Sequence, residues 1–188
     1  MSAVFALQTG RLLLRKLVAG DLDDLVALDA APAVMRHIND GVPTPRADYV
    51  EKLLPRMLAW PGDGPVGFYA ALWEDRWIGW FHLRPSIGGD DALELGFRLH
   101  REAWGHGLAT EGARTLAALA VDELRVPWVD GCARPDNRAS IAVLEKCGLS
   151  YVDTRLHPRT PIEVAFYRAA PDAVVRGEFH LAAGHLLC

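Results

Sequence analysis

Cysteine is scarce in this chain, no stretch is dominated by one sign of charge, and no long apolar run occurs. Each lack removes a class of protein. The three cysteines, Cys132, Cys147 and Cys188, are odd in number and have neither metal nor redox spacing. They imply no disulfide framework, and free thiols in a reducing cytoplasm account for them. No block of Lys or Arg stands out, and acidic residues outnumber basic ones by 24 to 20. A nucleic-acid groove needs a basic stripe, so nucleic acid is not expected as the main partner. No apolar run reaches the roughly 20 residues that cross a bilayer, which speaks against a membrane-embedded protein. Met1 to Gln8 lacks the charged start and apolar core of a signal peptide. A phosphate-binding P-loop is also missing, because no glycine is followed by Lys and Ser or Thr.

What remains is ordinary globular material: 188 residues, 51% hydrophobic and 23% charged, enough for one well-cored domain over residues 1–188. Thr9 to Val18 reads as an opening strand around Leu12-Leu13-Leu14. Asp21 caps a helix carrying Leu22, Leu25, Val26 and Leu28 on one side. Pro43 and Pro45 precede a second helix from Arg46 to Leu58, which ends at Trp60-Pro61-Gly62. Strands follow at Phe68 to Trp73 and Trp77 to Leu83, joined by a hairpin turn, and then at Ala92 to Leu99. A long helix to about Glu123 leads to a strand at Trp128 to Ala133 and a short helix from Ser140 to Lys146, stopped by Gly148. Two last strands lie near Tyr151 to Leu156 and Val164 to Ala169. The order is β-α-α-β-β-β-α-β-α-β-β, an α/β sandwich in one domain with a C-terminal tail of about 172–188.

The join between the Ala92–Leu99 strand and the long helix carries the chemistry. Trp104-Gly105-His106-Gly107-Leu108-Ala109-Thr110-Glu111-Gly112 places glycines at a helix start, where backbone N–H groups lack carbonyl partners. Those groups, with the positive end of the helix dipole, suit a phosphate or diphosphate. Gly105-x-Gly107-x-x-Thr110 comes close to a dinucleotide fingerprint, with Asp130 at a plausible distance for a ribose. The third glycine is missing, however, and a meander precedes the loop where a parallel unit is wanted. A purely structural turn is the third reading.

A second motif lies downstream: Asn137-Arg138-Ala139-Ser140-Ile141-Ala142-Val143-Leu144-Glu145-Lys146-Cys147-Gly148. With Leu95-Gly96-Phe97-Arg98-Leu99 and the glycine loop, it closely resembles the GNAT superfamily of acetyl-CoA-dependent N-acetyltransferases, in its ribosomal-protein-acetylating (RimJ/RimL-type) form. The resemblance implies a mixed, mostly antiparallel sheet of about seven strands, with helices on both faces and a central V-shaped splay. It implies acetyl-CoA as co-substrate and direct attack by a primary amine, either a protein N-terminus or a small molecule. The coenzyme diphosphate would lie on Trp104, Gly105, His106, Gly107, Leu108 and Ala109. The pantetheine arm would lie along Phe97, Arg98 and Leu99 and meet Asn137, with a backbone N–H near Leu99 stabilising the oxyanion. Glu102 departs from the family, which often has Gln or Arg at that position; Arg101 or His106 could supply the cation instead.

For catalysis, the attacking amine must lose a proton. Glu94 is the candidate base, against a plain reading as a polar residue on a strand face. The family's usual tyrosine acid is replaced here by Glu145. Ser140 is the candidate acid, against a reading as helix cap. His37, within Met35 to Asp40, and Trp80 are candidate acceptor contacts, and His157 to Thr160 also borders that region. Trp60 is a further cleft candidate. Cys147 reads as a small buried filler, and His180, His185 and Cys188 form no zinc pattern, so no metal is expected. The protein is expected to act as a monomer or homodimer. A GNAT-like domain that binds acyl-CoA without turnover is the alternative class, with an NAD(P)-binding protein behind it.

Overall fold

The computed structural model describes residues 5–60, 64–158 and 160–182. A single sheet of nine strands organises them, in the order β7-β8-β6-β5-β4-β3-β2-β1-β9. The strands are β1 (Ala6–Gln8), β2 (Leu12–Lys16), β3 (Gly67–Trp73), β4 (Arg76–Pro85), β5 (Leu93–Leu99), β6 (Val129–Ala133), β7 (Ser150–Leu156), β8 (Glu163–Ala169) and β9 (His180–Leu181). All neighbours are antiparallel except β5 and β6. The expected fold is there, with nine strands where about seven were expected. The expected opening strand is β2, and a short β1 ahead of it is an addition, joined to β2 by the turn at Thr9 to Arg11. The other addition, β9, comes from the tail and pairs with β1.

Alternation along β4 sets the two faces, shifted by one residue at a bulge where Ile78 has no partner on β3. Phe81 and Leu83 point to one side and meet α5 (Leu108–Ala118), whose Leu108, Leu116 and Ala117 are fully buried there. Trp77 and Trp80 point to the other side, against Leu25 of α1 (Leu22–Asp29), Tyr49, and Leu54 of α4 (Leu54–Leu58). Between these lie the short α2 (Pro32–Met35) and α3 (Arg46–Asp48). Residues 46–58 are helical as expected, but Tyr49–Leu53 forms a π turn just ahead of Pro55. Proline has no N–H to give to the carbonyl four residues back and its ring crowds that carbonyl, so the turn before it widens. A second π turn, Leu119–Glu123, extends α5.

Two features of the fold prepare the site. β5 and β6 pair at only Leu93↔Val129 and Glu94↔Asp130, then part, although each stays bonded to its other neighbour. This is the V-shaped splay. The described part of the tail, to residue 182, is docked on the domain: Val174 is buried, the Val175 N–H donates to the Cys147 carbonyl at 2.9 Å, and the Gly177 N–H donates to the Arg114 carbonyl at 3.2 Å. His185, Cys188, Pro61, Gly62 and Arg159 lie outside the described residues.

Candidate active site

The glycine loop sits where β5 ends and α5 begins. Gly105 and Gly107 both have φ of 78°, a left-handed conformation that costs a glycine little and an L side chain about 1 kcal/mol or more. Gly107 is the N-cap of α5 and offers no side chain to cap it. Backbone pairing in the helix starts at Glu111, whose N–H donates to the Gly107 carbonyl at 3.0 Å. The first-turn N–H groups before it, Leu108 to Thr110, are left to face an anion. Trp104 is largely exposed, yet its indole N–H donates to the Leu99 carbonyl at 2.9 Å, tying the loop to the end of β5. The His106 ring lies 5.1 Å from that of Trp73. Arg101 and Glu102 are both exposed, in a short 3-10 turn before the loop.

On the far side of the splay, α6 (Arg138–Lys146) starts two residues earlier than its apolar pattern suggests. The reason is Asn137, whose side-chain oxygen accepts from the Ser140 N–H at 3.2 Å. Asn137 is therefore the cap, and the cap reading of Ser140 is corrected: its backbone is capped while its hydroxyl is not the capping group.

Glu94 occupies the last paired position before the strands diverge and is only 2% exposed. Its Oε1 accepts from Arg84 Nη2 at 2.8 Å and lies 3.3 Å from His82 Nε2. That second approach is a close polar contact with poor hydrogen-bond alignment, since neither His82 ring nitrogen has a well-formed bond. Burial alone would raise the Glu94 carboxyl, but His82 and Arg84 outweigh it and hold the group at about 2. Burial pushes the His82 imidazole down, toward its neutral form. Glu94 is thus not a polar residue on an open strand face. His82 itself rests against β5 where Gly96 stands; a Cβ there would come within 2.4 Å of the ring. Sequence reasoning missed His82 and Arg84, because cross-strand register, not spacing, brings them to Glu94.

The same limit hid a polar group on the α1 side. The carboxylate of Asp29, fully buried, accepts from Tyr49 Oη at 2.8 Å, Thr44 Oγ1 at 2.6 Å and Arg98. The Arg98 guanidinium lies 5.0 Å over the ring of Trp80, which stacks on His82 at 5.8 Å. Trp80 and Arg98 therefore belong to one wall, facing away from α5. Trp60 packs near Gly67. His37 lies 3.4 Å from Asp136, beside a cavity of about 380 Å³ lined by Asp40, Arg134, Asp136, Ile162 and Glu163 among others. The β5 residues run directly into the loop, Asn137 follows β6 on the other side of the splay, and His37 lies instead beside the Asp136 cavity.

Two other readings are settled by burial. Asp130 is fully buried, bonded to Arg168 at 2.7 and 2.9 Å and to Ser86 at 2.5 Å, so it cannot hold a ribose and the dinucleotide reading falls. Cys147 is fully buried with its thiol pushed up to about 12 by burial, the state of an inert filler.

Residues 11–150 match the family model described as Acetyltransferase (GNAT) domain. A protein of Aspergillus fumigatus named FsC-acetyl coenzyme A-N(2)-transacetylase is 33% identical over 159 residues, covering 79% of this chain and 66% of its own. The Uncharacterized protein YkkB of Bacillus subtilis is 30% identical over 112 residues, covering 56% and 65%. The chain thus spans just under two thirds of the length of the curated relatives it matches. Among solved structures, the aminoglycoside acetyltransferase AAC(6')-Ib in complex with coenzyme A superposes with a TM-score of 0.72 at 21% identity, covering 86% of this chain and 96% of that one. An acetyltransferase of Agrobacterium tumefaciens gives a TM-score of 0.73 at 24% identity, covering 90% and 96%. At those identities the likeness to solved structures is one of fold.

Proposed function

Because the chain belongs to the GNAT acetyltransferase family, we propose that it transfers the acetyl group of acetyl-CoA to a primary amine by direct attack in a ternary complex. The observation that carries this reading is the uncapped start of α5 beside the gap between β5 and β6. The loop offers N–H groups to the diphosphate, and the unpaired part of β5 offers backbone to the pantetheine arm. The Leu99 carbonyl is occupied by Trp104, which fixes the strand end next to the thioester. Asn137, while capping α6 through its oxygen, keeps its amide N–H groups for the pantetheine arm. Motifs around Trp104 and Asn137 support the ribosomal-protein-acetylating branch of the family.

In the reaction, the amine lone pair forms the C–N bond at the thioester carbonyl, the ammonium proton is lost, and the C–S bond breaks with its electron pair leaving on sulfur. A carboxylate held at about 2 stays ionised at neutral pH and is a weak proton acceptor. We therefore assign Glu94 an assisted part in the base role: it stabilises positive charge on His82, the neutral imidazole 3.3 Å away, as the proton passes. The Ser140 hydroxyl, free of capping duty, is the proposed donor to the leaving thiolate. His37, beside the outer cavity through its contact with Asp136, is the proposed acceptor contact; Asp40 and Asp136 there are already ion-paired with Arg134, so the charge of that cavity does not select a cationic acceptor. A thiol-release assay with acetyl-CoA and an amine panel tests the reading. Release with at least one amine is expected. Tight acetyl-CoA binding with no release for any amine would favour an acyl-CoA-binding domain without turnover.

A further inference from the structure

Arg11 comes from the β1–β2 turn, 95 residues before His106, and its guanidinium reaches across to the glycine loop. Nη1 donates to the His106 carbonyl at 2.8 Å, and Nε and Nη2 each lie 2.7 Å from Glu111 Oε2. The other carboxylate oxygen of Glu111 accepts from the Arg11 backbone N–H at 2.8 Å and from Thr9 Oγ1 at 2.6 Å. One side chain thus grips the loop on both sides of its cap glycine: a carbonyl just before Gly107 and a carboxylate in the first turn of α5. The position a Cβ would take on Gly107 lies 3.6 Å from Arg11 Nη2.

Two physical consequences follow. In a trans peptide, C=O and the next N–H point in opposite directions. Holding the His106 carbonyl toward Arg11 therefore aims the Gly107 N–H the other way. Glu111, and the exposed Glu102 nearby, place negative charge beside a loop meant for an anion. Arg11 is ion-paired to Glu111 and still 46% exposed, so it offsets that charge at the rim of the cradle. Neither Arg101 nor the His106 ring makes such a bridge: the ring packs on Trp73 instead.

We infer that Arg11 is a positioning residue for the diphosphate of acetyl-CoA, with Glu111 and Thr9 as its anchor. The inference rests on the acetyl-CoA reading above. It places the requirement for coenzyme binding outside the loop, on the first turn of the sheet. The test is steady-state kinetics of the full chain with acetyl-CoA varied at saturating amine, for Arg11→Ala and Arg11→Lys. Arg11→Ala is expected to raise KM for acetyl-CoA about tenfold with kcat within about twofold, because the clamp acts on the diphosphate and not on the reacting carbonyl. Arg11→Lys keeps the charge but cannot hold both partners; it is expected to raise KM about threefold, and it carries the test if Arg11→Ala does not fold. An unchanged KM in the folded variants, or equal losses in kcat and KM alongside a collapsed melting temperature, would overturn it. Wild-type protein that fails to bind CoA by calorimetry would instead be a failure of the acetyl-CoA reading.

Discussion

Replacing Glu94 by Gln keeps the shape of the side chain and removes its charge, at the position where β5 and β6 part. The drop of its carboxyl from an ordinary 4.5 to about 2 corresponds to roughly 3 kcal/mol of preference for the ionised form in the folded state. The folded value is depressed, so this stability is fully present above the unfolded value. It is lost as pH falls through the window from about 5 to 2. Urea unfolding of Glu94→Gln is therefore expected to show a loss of about 3 kcal/mol at pH 7, narrowing to about 1 kcal/mol near pH 3. What the variant gives up is the charge in the 2.8 Å bond from Arg84 and the 3.3 Å contact with His82, and both partners stay behind largely buried. Turnover supplies the second readout. With an active amine, kcat is expected to fall about 100-fold, the lower end of general acid–base effects. A loss below 1 kcal/mol that does not change with pH would refute the electrostatic reasoning, and a kcat within threefold of wild type would remove Glu94 from the chemistry.

Other substitutions separate roles that share an element. Ser140→Ala leaves the Asn137 cap intact, so its melting temperature should hold while kcat drops tenfold or more if the hydroxyl protonates the thiolate. Asn137→Ala removes the cap and should cost about 1 kcal/mol in thermal unfolding, with a raised KM for acetyl-CoA. Gly107→Ala forces a side chain into a φ of 78° and should cost about 1 kcal/mol while weakening coenzyme binding, read by calorimetry. Cys147, fully buried, should react with an aromatic disulfide reagent only at the rate of unfolding in a variant whose Cys132 and Cys188 are replaced by Ser, whereas prompt labelling of that native variant would contradict its packing.

Local chemistry was legible in the chain to a useful degree. Alternation gave β3, β4 and β5, helical spacing gave α1 and α5, and glycines marked the loop, because each of these signals is carried by neighbouring residues. The short β1 and β9 escaped, since two or three residues hold too little pattern, and β9 exists only by pairing with β1. Widening of the helix before Pro55 was likewise not visible in the apolar spacing. At the site, the loop and Asn137 were found by motif. The partners that tune it, His82 and Arg84 for Glu94, Asp29 for Arg98 and Arg11 for Glu111, come from register and tertiary packing. A pair such as Arg11 and Glu111, 100 residues apart, leaves no local trace.

The central claim is that the glycine loop at the head of α5 holds the diphosphate of acetyl-CoA beside the splayed strands. Calorimetric titration of the wild-type protein with CoA, repeated for Gly107→Ala, tests it most directly. One site of micromolar affinity, weakened at least fivefold by the substitution, is the predicted result. Binding that is absent, or equal in both proteins, would contradict it.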